Sequence, residues 1–151
     1  MKNIRIIKAQ KKDAHTLIEL TKELAKFEKL KGPNVPESRR LAKNCFEDKM
    51  FDFYLAKFGN KTVGGIVLYM TYSTFLARPT LYIEDLFILP KYRGKSFGKN
   101  LFLFAKQLAK KRGCGRMEWN VLRWNKKAIG FYKKMGAKNL DEWQWYRLQI
   151  K

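Results

Sequence analysis

Only 13 of the 151 residues are acidic, two are cysteine and one is histidine. Each scarcity closes off a class of chemistry. Cys45 and Cys114 have no CxxC spacing and no histidine beside them, so neither a metal cluster nor a disulfide framework is encoded, and free thiols in a reducing compartment are expected. His15 lies near the start of the first predicted helix, far in sequence from every other candidate group, and reads as a surface residue rather than a base. No apolar run approaches the roughly 20 residues of a membrane-spanning helix. The start, MKNIRIIKAQKKDAH, turns polar too soon for the apolar part of a signal peptide. A soluble cytosolic chain is expected, with a nuclear location left open. There is no repeat, linker or low-complexity stretch, so one domain is expected over residues 1–151.

What is present is a globular composition, with 46% hydrophobic residues, under an extreme charge: 33 Lys and Arg give a net +20. Such a field favours polyanions, whether a nucleic acid, an anionic surface or a phosphate-rich cofactor. A nucleic-acid-binding module is therefore one reading. Against it, the lysines are spread along every segment, and neither an RNP-type aromatic motif nor a zinc pattern nor a basic tail accompanies them.

Periodicity gives the order β-α-α-β-β-β-α-β-α-β. A strand at Asn3 to Lys8 precedes a helix capped by Asp13, with the stripe Leu17, Leu20, Leu24, Phe27. A weaker helix follows from Glu37 to Glu47. Phe53 to Phe58 and Thr62 to Tyr72 form a hairpin around Gly59-Asn60-Lys61, and Leu81 to Leu89 is the next strand. A long helix striped by Leu101, Phe104, Ala105, Leu108 and Ala109 ends at Gly113, and Met117 to Leu122 is a strand. Asn125 caps a helix that Gly136 terminates, and Trp143 to Ile150 reads as a last strand, with Trp143 and Trp145 packed on it. Hairpins in the centre and interleaved helices afterwards make an α+β fold with one central, mostly antiparallel mixed sheet.

Two stretches carry chemistry. Residues 84–98, EDLFILPKYRGKSFG, run a strand into a basic turn that opens a helix, so amides and the charges of Lys91, Arg93, Lys95 and Lys99 would converge on an anion such as a pyrophosphate. An ordinary basic surface loop is the plainer reading. In the second stretch, from Trp124 to Ala137, Asn125 and Tyr132 are two helical turns apart and share a face with Ala128 and Ile129. A phenol with a reference pKa of about 10 could protonate a leaving thiolate of pKa about 8 to 9. A core tyrosine with a satisfied hydroxyl would look the same.

The strand leading into YRGKSFGKNL, together with WNKKAIGFYKKMGA downstream, resembles the acyl-CoA pyrophosphate loop and the asparagine- and tyrosine-bearing helix of the GNAT superfamily. With ELAKFEKL and LYIEDLFILPKYRG, nearly the whole chain resembles the diamine branch of that superfamily, the spermidine/spermine acetyltransferases. The resemblance implies a GNAT domain with about four helices around the sheet, acetyl-CoA as co-substrate, no metal, and direct attack by a small primary amine in a ternary complex. By the same resemblance Arg93, Gly94, Lys95, Ser96, Phe97, Gly98 and Lys99 would hold the pyrophosphate, and Leu86, Phe87 and Ile88 the pantetheine arm. Asn125 and Ala128 would also meet the cofactor, Tyr132 would be the general acid, and Glu84 a water-mediated base. Phe27, Glu28, Glu84 and Asp85 would bind the amine, with Glu28 on a second cationic centre. Because side chains alternate along a strand, only one of Glu84 and Asp85 is expected to face the cleft.

One departure stands out: Ser96 occupies the place of the first family glycine after the loop arginine, where a left-handed conformation costs serine more than glycine. The acceptor is also open between diamines and thialysine-like or lysine-like amines, since a +20 surface repels long polycations. Similar enzymes are usually homodimers, and Tyr69, Tyr72 and Phe75 are candidate interface residues.

Overall fold

The computed structural model describes residues 4–150, and contacts divide the chain into two compact units, Met1–Asn120 and Val121–Lys151.

In the first unit a five-stranded sheet runs in the order β1-β2-β3-β4-β5. The strands are β1 (Arg5–Lys8), β2 (Asp52–Phe58), β3 (Lys61–Ser73), β4 (Arg78–Ile88) and β5 (Arg116–Trp119). Neighbours from β1 to β4 are antiparallel and β4 pairs with β5 in parallel. Asn3, placed in the first strand by the sequence reading, lies outside the described residues. Helices α1 (Ala14–Phe27) and α2 (Val35–Phe46) come between β1 and β2, and α3 (Phe97–Lys111) makes the crossover from β4 to β5 that a parallel pair requires.

Local chemistry sets the helix ends. At α2 the Asn34 side chain accepts from the Glu37 N–H at 2.9 Å and Glu37 accepts from the Asn34 N–H at 2.8 Å, a complete capping box. Asp13 stands before α1 as expected, yet its carboxylate accepts from the Gln10 N–H and so closes the preceding turn instead.

Alternation along β2 splits the core into two layers. Phe53 and Leu55 meet Leu17 and Leu20 of α1 and Cys45 of α2, together with Val67 and Phe87. Tyr54 and Phe58 stack on Phe104 and Phe97 of α3, with ring centroids 4.8 and 5.4 Å apart. Asp52 ties the layers' rims, accepting from Lys8 at 2.7 Å and from Arg112 at 2.6 Å. Burial works to raise its pKa, and those two bonds outweigh it and hold the carboxyl below its usual range.

The second unit contains α4 (Lys126–Lys134), closed by Gly136 at φ 87°. The last strand expected from Trp143 to Ile150 is absent: these residues belong to no ladder. Their aromatic, alternating pattern meets the side-chain preference of a strand, but a strand exists only where a neighbour takes its backbone hydrogen bonds. Trp143 and Trp145 are correspondingly 67% and 75% exposed, so the packing role read for them does not hold. No helix of the described residues is long and apolar enough to cross a membrane.

Gly64 and Gly65 press β3 against its surroundings. A Cβ on Gly64 would lie 2.2 Å from the Phe87 carbonyl oxygen, and one on Gly65 would lie 2.6 Å from the Phe53 ring. Gly64→Ala is therefore expected to cost about 2 kcal/mol or more of stability, read by urea unfolding; a loss under about 0.5 kcal/mol would mean the two strands can part at no cost.

Candidate active site

Past Ile83, β4 has a neighbour on one side only. Its pairing with β5 stops at Ile83↔Trp119, while its pairing with β3 continues to Ile88↔Gly64. Leu89 N–H donates to the Val63 carbonyl at 2.9 Å, and polar groups alternate sides along an antiparallel strand. The backbone groups of Phe87 therefore turn toward β3, and those of Leu86 and Ile88 turn to the open edge. Of the three residues expected along a pantetheine arm, Leu86 turns both its backbone groups to that edge, while at Ile88 the N–H does so and the carbonyl accepts from Arg93.

The open edge leads into the basic turn. Gly94 at φ 77° and Ser96 at φ 63° are both left-handed, so Ser96 adopts the conformation that suits glycine, at a cost of about 1–2 kcal/mol. Phe97, at 1% exposure, anchors the start of α3 in the core. The side chain of Ser96, the N-cap residue, caps none of the first amides of α3, and those amides have no partner inside the helix. Lys91, Lys95 and Lys99 are exposed around them. A Cβ on Gly98 would lie 3.9 Å from the Leu86 and Ile88 side chains, so the start of α3 faces the strand at ordinary contact range. The arrangement suits a polyphosphate: uncapped amides, a helix dipole and three exposed cations. Arg93 behaves differently. Its Nε donates to the Ile88 carbonyl at 2.9 Å and its guanidinium lies over the Phe27 and Phe87 rings.

Upstream on the same strand the register with β3 slips, with Leu68 opposite Ile83 and Val67 opposite Asp85, so Glu84 is the extra residue of a β-bulge. Strict alternation fails there, and both acids join one cluster with Glu28, the C-cap residue of α1. Burial, then the charges of Glu84 and Glu28, push the Asp85 carboxyl up to about 7. Burial and then Glu84 raise Glu28. Asp85 lines a cavity of about 10 Å³ under α1, beside Leu17, Leu20, Thr21 and Leu24. Among the described residues no group of His, Cys, Asp and Glu could hold a metal ion.

Tyr69 is a neighbour of Glu84 that sequence reasoning did not find. An interface candidate from the sequence, it has its phenol raised by burial first, then by the charge of Glu84 and a hydrogen bond with it, and it stacks on Tyr82 at 4.9 Å. Burial, with nearby negative groups, pushes Tyr82 up to about 12. Only the strand register, opposing Tyr69 to Tyr82, could have found this contact. Tyr72 and Phe75 are exposed, at 64% and 96%.

In the second unit, Asn125 caps α4 by accepting from the Ala128 N–H at 3.2 Å. Tyr132 lies two turns along, its ring 5.2 Å from that of Phe131. His15 is exposed, and Cys45 is buried with its thiol pushed up to about 11, chiefly by that burial.

The profile of the Acetyltransferase (GNAT) family covers residues 17–137. The chain is 34% identical over 151 residues to the thialysine N-epsilon-acetyltransferase of Caenorhabditis elegans, covering 99% of this chain and 93% of the other. Over 93 residues it is 45% identical to an L-ornithine N5-acetyltransferase of Arabidopsis thaliana, covering 61% of this chain and 41% of that one. The crystal structure of a probable acetyltransferase superposes with a TM-score of 0.83 at 22% identity, over 97% and 99% of the two chains, and shows the same fold.

Asp85 yields a pH test. Its folded-state value stands about three units above the usual carboxylate value, so its contribution to stability is full below about pH 4 and is lost as pH rises through about 7. Asp85→Asn is expected to raise the unfolding free energy at pH 8 by about 2–4 kcal/mol and to change it little at pH 4, read by urea titration at both values. Equal effects at the two pH values would show that Asp85 is not held neutral.

Proposed function

The chain belongs to the GNAT acetyltransferase family, and from that premise we propose that it acetylates one amino group of a short acceptor carrying two, with acetyl-CoA as donor. It is an acetyltransferase acting on amines; the kind of amine and the residues that act on it are the proposal. The observation that carries it is the group of three carboxylates, Glu28, Glu84 and Asp85, beside a phosphate cradle on the same strand, in a chain with only 13 acids.

The division of labour follows from charge. The amides at the start of α3, with Lys95 and Lys99, would hold the pyrophosphate of CoA, and Leu86 and Ile88 would pair with its pantetheine arm along the open edge of β4. An amine of pKa about 10 arrives protonated and must lose a proton before it can attack a thioester. Glu84, at the bulge and exposed, takes that proton through water. Glu28 and Asp85 hold the acceptor's second ammonium group. An arriving cation favours their ionised forms, so binding draws the proton off Asp85. Tyr132 protonates the departing thiolate; that assignment, like a cofactor contact for Asn125 and Ala128, rests on the motif from Trp124 to Ala137.

Diamines and diamino acids both present two amino groups. The net charge of +20 favours the second kind or the shorter diamines over spermine, because long-range repulsion grows with acceptor charge. The relatives named for thialysine and ornithine support the diamino acids.

Thiol release measured with putrescine, spermidine, spermine, lysine, ornithine and thialysine reads the acceptor directly, and no release with any of them discards the reading. Glu28→Gln is expected to raise KM for two-amine acceptors about tenfold and for monoamines less than twofold; equal rises would remove its assigned role. Tyr132→Phe is expected to lower kcat about 100-fold at nearly unchanged acetyl-CoA affinity, and unchanged turnover would mean that another group protonates the thiolate.

A further inference from the structure

Arg93 differs from every other cation of the turn. Lys91, Lys95 and Lys99 are exposed, whereas Arg93 is half-buried. Its Nε–H donates to the Ile88 carbonyl at 2.9 Å. Its guanidinium carbon lies 4.6 Å from the Phe27 ring centroid and 5.2 Å from that of Phe87, and the two rings are 6.4 Å apart and tilted by 53°. Among the described residues no carboxylate forms an ion pair with it. Burial alone lowers its pKa, as for a cation that has given up water without gaining an anion.

A planar, weakly hydrated cation can meet two ring faces while one edge donates to a carbonyl, which an ammonium cannot do. The elements joined this way are the end of β4, through Ile88 and Phe87, and the last residue of α1, Phe27. Glu28 follows Phe27 directly, and the chain leaves the helix there, with Lys29 at φ 58°. The position of Glu28 thus depends on what holds Phe27.

We propose that Arg93 is a positioning residue rather than a phosphate ligand: its side chain ties the phosphate-binding turn to the end of α1 and thereby fixes Glu28 beside Glu84 and Asp85. The part concerning Glu28 rests on the acetyltransferase reading above; the tie between Arg93 and Phe27 does not. The contacts its side chain makes are to the Ile88 carbonyl and the two rings, so they serve the turn and α1 whether or not a phosphate is bound. Losing Arg93 should therefore be felt on the amine side, and any effect on acetyl-CoA should be independent of its phosphates.

The first arm of the test needs no turnover. Unfolding equilibrium constants are measured for the unaltered chain, Arg93→Met, Phe27→Leu and the double variant; the double is expected to be less destabilised than the product of the singles by about three- to tenfold, and strict additivity overturns the tie. In the second arm, Arg93→Met and Arg93→Lys are both expected to raise KM for a two-amine acceptor about three- to tenfold and for a monoamine less than twofold. The KM ratio of acetyl-CoA to acetyl-pantetheine should stay unchanged. Recovery of the unaltered KM by Arg93→Lys, or a penalty on acetyl-CoA that spares acetyl-pantetheine, overturns the proposal in favour of a charge contact with phosphate. Should no amine be acetylated by the unaltered chain, the acceptor reading fails while the first arm still decides the tie.

Discussion

The working side of this protein depends on one strand that is paired on both sides for half its length and on one side for the rest. From Thr80 to Ile83, β4 lies between β3 and β5; from Glu84 to Ile88 only β3 remains. Polar backbone on the open edge must find a partner, and a flexible ligand with amides of its own can supply one. The bare Cα of Gly64 lets that half of β4 lie close against β3, since a Cβ there would run into the Phe87 carbonyl.

The bulge at Glu84 gives the same strand its second use. It interrupts alternation where three carboxylates meet, so a chain of strongly positive charge acquires a local negative site. The two fields do not cancel because they act over different ranges. Salt screens the surface lysines beyond a Debye length of about 8 Å, while the Asp85 carboxyl, lining the cavity under α1, acts at contact with little screening. Asp85 shows the strain of that arrangement: burial and the charges of Glu84 and Glu28 make its own charge costly.

Much of the site was legible because it is local. A strand, a turn and a helix start within 15 residues, and Ser96 at φ 63° takes the left-handed conformation that its place in the turn calls for. The helices came out within a few residues of their predicted bounds, since a 3.6-residue stripe and a cap are encoded side by side. Long-range facts were not legible. Nothing near Arg93 signals that Phe27, 66 positions earlier, takes its guanidinium, and nothing near Tyr69 points to Glu84. The segment from Trp143 to Ile150 has the side chains of a strand and no ladder, because pairing is a property of two segments.

By itself the amino-acid order determined the succession of elements from β1 to α4, the basic turn and the presence of acids before it, since each depends on neighbours within a turn or two of chain. Only the tertiary structure decided which of those residues act together. It slipped the register by one to gather Glu84 and Asp85 with Glu28, and it turned Arg93 from the solvent onto two rings. Both outcomes depend on contacts between segments far apart in the chain, whose geometry is set by packing rather than by local preference.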